Sequence, residues 1–113
     1  MKKISGGALI TKILIQNGIN KAFCVPGESY LGALEAIRES KNKFDLVVCR
    51  HEGGAAYMAE AYGRLTQMPG ICFVTRGPGA CNASIGVHTA YHEGTPLILF
   101  VGQVPVKSLK TVS

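Results

Sequence analysis

Glu52 is the residue whose type and setting are best suited to chemistry. It opens a predicted helix directly after the apolar run Leu46-Val47-Val48-Cys49 and the pair Arg50-His51, and Gly53-Gly54-Ala55-Ala56 follow it. A carboxylate at a strand-to-helix turn can hold or pass a proton, and small residues beside it let a ligand or second chain come close. Standing alone, such an acid reads as a helix-start residue stabilised by the macrodipole. Two further loops share its place in the pattern. Ala22 to Val25 runs into Pro26-Gly27, and Ile71 to Val74 runs into Thr75-Arg76-Gly77-Pro78-Gly79. Each loop follows a predicted strand, and open α/β sheets place ligands at the carboxyl ends of their strands.

The elements that must carry these loops follow from periodicity. Ile4 to Gln16 has a helical apolar stripe, started by Ser5 and stopped by Asn17-Gly18. A strand is predicted over Lys21 to Val25, and then a helix capped by Ser29, with Leu31, Leu34 and Ile37 on one face. Phe44 to Cys49 reads as a strand, Glu52 to Thr66 as an alanine-rich helix, and Ile71 to Thr75 as a third strand. Pro78 to Tyr91 reads as a helix with proline in its first turn, where the missing N–H costs little, and Leu97 to Val101 as a fourth strand. No helical stripe is found from Val104 to Ser113. Strands alternating with long helices imply parallel pairing, and continuous apolar strands imply that both faces of the sheet are covered. The expected fold is therefore α/β, an open parallel sheet with helices on both faces, cut short before its architecture is complete.

Composition narrows the function classes. A chain of 113 residues holds one domain, and 47% hydrophobic against 17% charged residues is apolar enough to expect a partner over part of its surface. The net charge of +5 is scattered from Lys2 to Lys110 without a basic run, which argues against nucleic-acid binding. Cys24, Cys49, Cys72 and Cys81 match neither a zinc site nor a disulfide framework, and reduced thiols fit a cytoplasmic protein. Nothing at the N-terminus resembles a signal peptide, and no apolar stretch reaches membrane-spanning length, so no membrane partner is expected.

Val25-Pro26-Gly27, Arg50-His51-Glu52 with Ala55-Ala56 and Ala59 to Arg64, Thr75 to Asn82, and Gly102-Gln103-Val104 together resemble the N-terminal pyrimidine-binding domain of thiamine-diphosphate enzymes of the acetolactate synthase group. The resemblance covers essentially residues 1–113, with the central and diphosphate-binding domains of that family absent from it. It implies that Glu52 is catalytic, hydrogen-bonding N1′ of the cofactor and favouring the imino tautomer that deprotonates the thiazolium C2. It implies cofactor contacts from Val25, Pro26, Gly27, Glu52, Thr75, Pro78, Gly79 and Asn82, and a substrate contact from Gln103. No metal ligand is implied on this chain; Mg2+ would be held with the diphosphate by the missing domain, and FAD is left open. The implied substrate is a 2-oxo acid, and the implied assembly a homo-oligomer through the helix that starts at Glu52. Arg76, Gly53 and Gln67 depart from the acetolactate synthase pattern, which commonly has serine, glutamine and glycine there.

Three rival readings stand beside it. Gly77-Pro78-Gly79 could belong to a dinucleotide-binding turn, but the third glycine of that fingerprint would fall on Asn82 and no acid follows at the expected distance. His88 and His92 lie four apart before Glu93, yet the acid that a metalloprotease helix needs after its first histidine is missing. A non-catalytic interaction fragment is the third, because the Gly-Asp-Gly segment that anchors metal and diphosphate in the family is not in this chain. An isolated chain should therefore bind the cofactor poorly and show no turnover.

Overall fold

The computed structural model describes residues 3–109. Helix α1 (Gly6–Gln16) is started by Ser5, whose hydroxyl oxygen accepts the Ala8 N–H at 3.1 Å. Strand β1 (Lys21–Cys24) leads through a 3-10 turn at Glu28–Tyr30 into α2 (Leu31–Glu39), and β2 (Asp45–Val48) follows. Helix α3 (Glu52–Thr66), β3 (Gly70–Val74), α4 (Pro78–Glu93) and β4 (Leu97–Val101) complete the alternation, before a 3-10 turn at Val106–Ser108. The expected elements are all found, with ends displaced by a residue or two. Ser29 is the exception, because it lies inside the 3-10 turn and caps nothing; the residue before α2 is Tyr30, without a side-chain cap.

The strands form one parallel sheet in the order β2-β1-β3-β4, with Lys21 in register with Asp45 and Phe23 with Cys72. From β1 the chain steps outward to β2, then returns past β1 to β3 and continues to β4. Because parallel crossovers keep one hand, this reversal sends the later helices to the opposite face of the sheet. The core divides accordingly. Leu14 of α1 and Ala33 and Ile37 of α2 pack on Ala22, Cys24, Ile71 and Phe73, whereas Ala55, Ala56 and Ala59 of α3 and Ala83 of α4 pack on Phe23, Cys72 and Val74. Alternate residues of the two central strands thus serve opposite layers, as the pleat requires. The apolar edge strands are less covered than their sequence predicts, and Val48 and Val101 are exposed.

One buried charge ties the second layer together. Glu60 of α3, buried beside the sheet, accepts two hydrogen bonds from the Arg64 guanidinium at 3.0 Å each and one from the Thr95 hydroxyl at 2.6 Å. Thr95 lies in the α4–β4 connection, so the carboxylate joins the middle of α3 to the entry of β4. The Thr95 hydroxyl and then Arg64 hold the Glu60 carboxyl below its ordinary value of 4.5, against the opposing effect of burial. A depressed carboxyl contributes stability that is present above the unfolded value and lost as pH falls through the folded one. Urea unfolding between pH 6 and pH 3 is therefore expected to show a steeper acid loss in the unmodified chain than in Glu60→Gln, whose neutral amide has no proton to gain.

Candidate functional site

Loops after β1 and β3 leave the sheet in opposite directions, and a crevice opens between them at this reversal point. Ser29 bridges it: its hydroxyl is 2.6 Å from that of Thr75 and accepts the Arg76 N–H at 3.4 Å. The Ser29 carbonyl in turn accepts the Gln103 N–H at 3.3 Å, so one residue joins the loops after β1, β3 and β4. Gly27 lies against Thr75, where an added Cβ would come within 2.9 Å of the Thr75 Cβ. Tyr30 donates from its hydroxyl to the Val25 carbonyl and stacks on Phe73 at 5.9 Å, which stacks on Phe100 at 4.8 Å. Burial pushes the Tyr30 phenol well above its ordinary value, so it stays a donor.

Glu52 enters this crevice from β2 by way of α3. His51 is the N-cap, accepting the Gly53 N–H on Nδ1 at 3.0 Å, which fixes the first turn and the direction in which Glu52 leaves it. Asn82 of α4 donates to Glu52 Oε1 at 3.1 Å. The other carboxyl oxygen takes no hydrogen bond among the described residues and faces Gly79, where a Cβ would stand 3.4 Å from Oε2 and 2.8 Å from Thr75 Cγ2. Burial pushes the Cys24 and Cys72 thiols up to about 11 and about 12, so both remain neutral thiols, Cys24 in the core layer under α1 and α2 and Cys72 in the layer under α3 and α4. All four cysteines are free.

Two compartments result. Glu52, Asn82, Gly79, Thr75 and Gly27 form a connected set, with Val25 held behind it and Pro26 exposed beside it. Thr75 and Pro78 also line a neighbouring groove of about 520 Å³ with Glu28, Ser29, Arg76 and Gln103. Gln103 therefore shares residues with the first compartment without reaching Glu52. Its own Oε1 accepts the Val104 N–H at 2.8 Å. His88 and His92, 4.4 Å apart, are exposed farther along α4. Ser29 and Tyr30 were not among the residues expected at the site; the one reads in sequence as a helix cap and the other as an ordinary aromatic.

The small residues after Glu52 serve close helix packing. Gly53, Ala55 and Ala56 are buried, and only Gly54 is exposed. They make room for α4: a Cβ on Gly86 would stand 2.4 Å from the Ala56 Cβ, and one on Gly53 3.4 Å from the Asn82 carbonyl oxygen. The outward side of α3 carries Tyr57, Met58 and Leu65 instead. This close approach sets the distance between Glu52 and Asn82.

Comparison with known proteins gives a consistent result. Residues 4–112 match the family described as thiamine pyrophosphate enzyme, N-terminal TPP binding domain. The chain is 39% identical over 105 residues to the mitochondrial acetolactate synthase catalytic subunit of Aspergillus candidus, covering 93% of this chain and 15% of that protein. It is 38% identical over 102 residues to the acetolactate synthase of Bacillus subtilis, covering 90% and 18% respectively. With the Escherichia coli acetolactate synthase isozyme 3 large subunit it shares 38% over 104 residues, covering 92% and 18%. The chain thus spans less than a fifth of the length of these curated relatives.

The packing gives a test of opposite signs. Gly86→Ala is expected to lower stability by about 1–3 kcal/mol, because the methyl has no space against Ala56. Gly32→Ala, at an open helical position, is expected to raise it by up to about 1 kcal/mol. Chemical denaturation of the two variants beside the unmodified chain checks both.

Proposed function

The chain belongs to the family of thiamine pyrophosphate enzymes, as their N-terminal TPP binding domain, and from that premise we propose that it is the cofactor-activating part of an acetolactate-synthase-like enzyme acting on a 2-oxo acid. The observation that carries the reading is the state of the Glu52 carboxyl. One oxygen is held by Asn82, and the other, without a partner among the described residues, faces the side of Gly79 where no side chain intervenes. A flat aminopyrimidine presents a ring nitrogen that such a carboxyl can meet, so the residues fit the cofactor. Thiamine diphosphate, when bound, supplies the carbon nucleophile that attacks a 2-oxo carbon and accepts the electron pair left by departing carbon dioxide.

The chain's own residues would do the rest. Glu52 holds a proton at the N1′ position and shares it with the ring, which a carboxyl can do when a covering domain removes water from around it. Asn82 keeps the carboxyl in one rotamer, His51 fixes the backbone that carries it, and Pro26, Gly27, Thr75 and Pro78 bound the space for the ring. Val25 is a backing residue, its carbonyl already taken by Tyr30. Gln103 touches the substrate side through the neighbouring groove. Mg2+ and the diphosphate are held by a further domain of the complete enzyme, which works in the cytoplasm as a lyase or transferase.

Assembly follows the same reading. The outward apolar residues Tyr57, Met58 and Leu65 of α3, with Ile85 and Tyr91 of α4, are exposed on this chain. Covering them by a second copy would exclude water from the Glu52 crevice, which supports a homo-oligomer through α3. The chain by itself, with no anchor for the diphosphate, is inactive.

In the complete enzyme, Glu52→Gln is expected to slow hydrogen–deuterium exchange at C2 of the bound cofactor by about 100-fold or more, the scale of a lost general acid–base. Cofactor affinity should change by about tenfold at most. Exchange at the unmodified rate would contradict the role given to Glu52.

A further inference from the structure

Arg76 is the residue of the site that the cofactor reading leaves without a task. It lines the groove beside Thr75 and Pro78, is exposed, and its guanidinium makes no hydrogen bond or ion pair among the described residues. The groove holds about 520 Å³, within the range of small-molecule sites. Leu31, Pro78, Val104 and Pro105 give it apolar sides. Its polar inventory is short. Ser29 and Thr75 share one hydrogen bond at 2.6 Å, and Gln103 Oε1 accepts the Val104 N–H, which leaves the Gln103 amide NH2 to donate. Beside one remaining hydroxyl proton of the Ser29–Thr75 pair, the donors lining the groove among the described residues are Gln103 and the cation Arg76, opposed there by one carboxylate, Glu28.

Two donors, one of them a guanidinium fork, match a carboxylate better than any neutral group. Glu52 and Asn82 are not among its lining residues, so an anion at Arg76 is held apart from the Glu52 carboxyl. The carboxylate that leaves as neutral carbon dioxide is also a poor partner for a bidentate cation, because a strong ion pair in the ground state is lost as the charge departs and raises the barrier. We propose that Arg76, with Gln103, determines specificity by holding a second carboxylate of the 2-oxo acid, one that is retained through the reaction. The proposal rests on the 2-oxo acid reading above and adds the substrate class, a dicarboxylic 2-oxo acid. Glu28 then acts as a brake, its like charge weakening the same anion.

The test compares carbon dioxide release by the complete enzyme from 2-oxoglutarate and from 2-oxopentanoate, which has the same chain length without the second carboxylate, with no acceptor added. The unmodified enzyme is expected to favour the diacid in kcat/KM by about tenfold or more, the scale of a charge-assisted hydrogen bond. R76Q should lose about 10- to 100-fold on the diacid and stay within about threefold on the monoacid, R76K should recover part of the loss, and E28Q should improve the diacid. A second readout needs no turnover: glutarate added to the isotopically labelled enzyme should shift the Arg76 and Gln103 side-chain NMR signals, glutaramide, of the same length without the charges, should shift neither, and R76Q should abolish the glutarate response. Turnover of both acids with no loss in R76Q, or with equal loss on both, overturns the assignment of Arg76 and leaves the 2-oxo acid reading standing. With pyruvate as a third substrate, turnover of pyruvate but of neither longer acid overturns the proposal and leaves the 2-oxo acid reading standing, turnover of none of the three overturns both, and a glutarate response that persists in R76Q overturns the proposal alone.

Discussion

The distance between α3 and α4 is the constraint on which the rest of the site depends. Their contact is made by Ala56 against Gly86, where an added Cβ would come within 2.4 Å of the Ala56 Cβ, and by Gly53 beside the Asn82 backbone, where one would stand 3.4 Å from the carbonyl oxygen. Helices this close bring a side chain on each into hydrogen-bonding range, which is how Asn82 of α4 reaches Glu52 of α3 at 3.1 Å. Widening the pair by the thickness of a methyl would break that bond and free the carboxyl to rotate into solvent. The buried Glu60, tied to Arg64 and Thr95, joins the middle of α3 to the connection that follows α4. The site carboxyl is therefore positioned by packing in the first turns of α3 and by a buried charge farther along it.

The sheet supplies the second part of the geometry. Because the chain reverses direction between β1 and β3, their loops part, and Ser29 spans the opening through its hydroxyl to Thr75 and its carbonyl to Gln103. Thr75 faces Gly27 and Gly79 on one side and the Arg76 groove on the other. A single threonine thus separates the compartment of the carboxyl from the compartment of the guanidinium. Proton handling and substrate choice can then vary independently, one through α3 and α4, the other through the residues around the groove.

Much of this was legible in the sequence, because the signals were local. Apolar runs of strand length, helical stripes, Pro78 at a helix start and Gly77, whose φ of 63° a side chain would resist, placed the elements and the three loops. Glu52 stood out for the same reason, at a strand-to-helix turn among small residues. What was not legible depends on direction or on distance along the chain. Ser29 has the residue type of a cap, but its partner Thr75 lies 46 residues away, and only the parallel pairing of β1 with β3 brings them together. Gly53, Ala55 and Ala56 look equally suited to an outward or an inward contact, and the inward one prevails because α4 lies over them. Asn82 and Glu52 are 30 residues apart; the family resemblance put both at the cofactor, but the hydrogen bond between them is seen only once α4 lies against α3.

The most direct test is a crystal structure of the complete enzyme with thiamine diphosphate and magnesium bound. The account predicts the aminopyrimidine against Gly27 and Gly79, with N1′ about 2.6–3.2 Å from Glu52 Oε2 while Asn82 keeps Oε1. An aminopyrimidine lying elsewhere, or Glu52 turned to solvent with its bond to Asn82 broken, would contradict it.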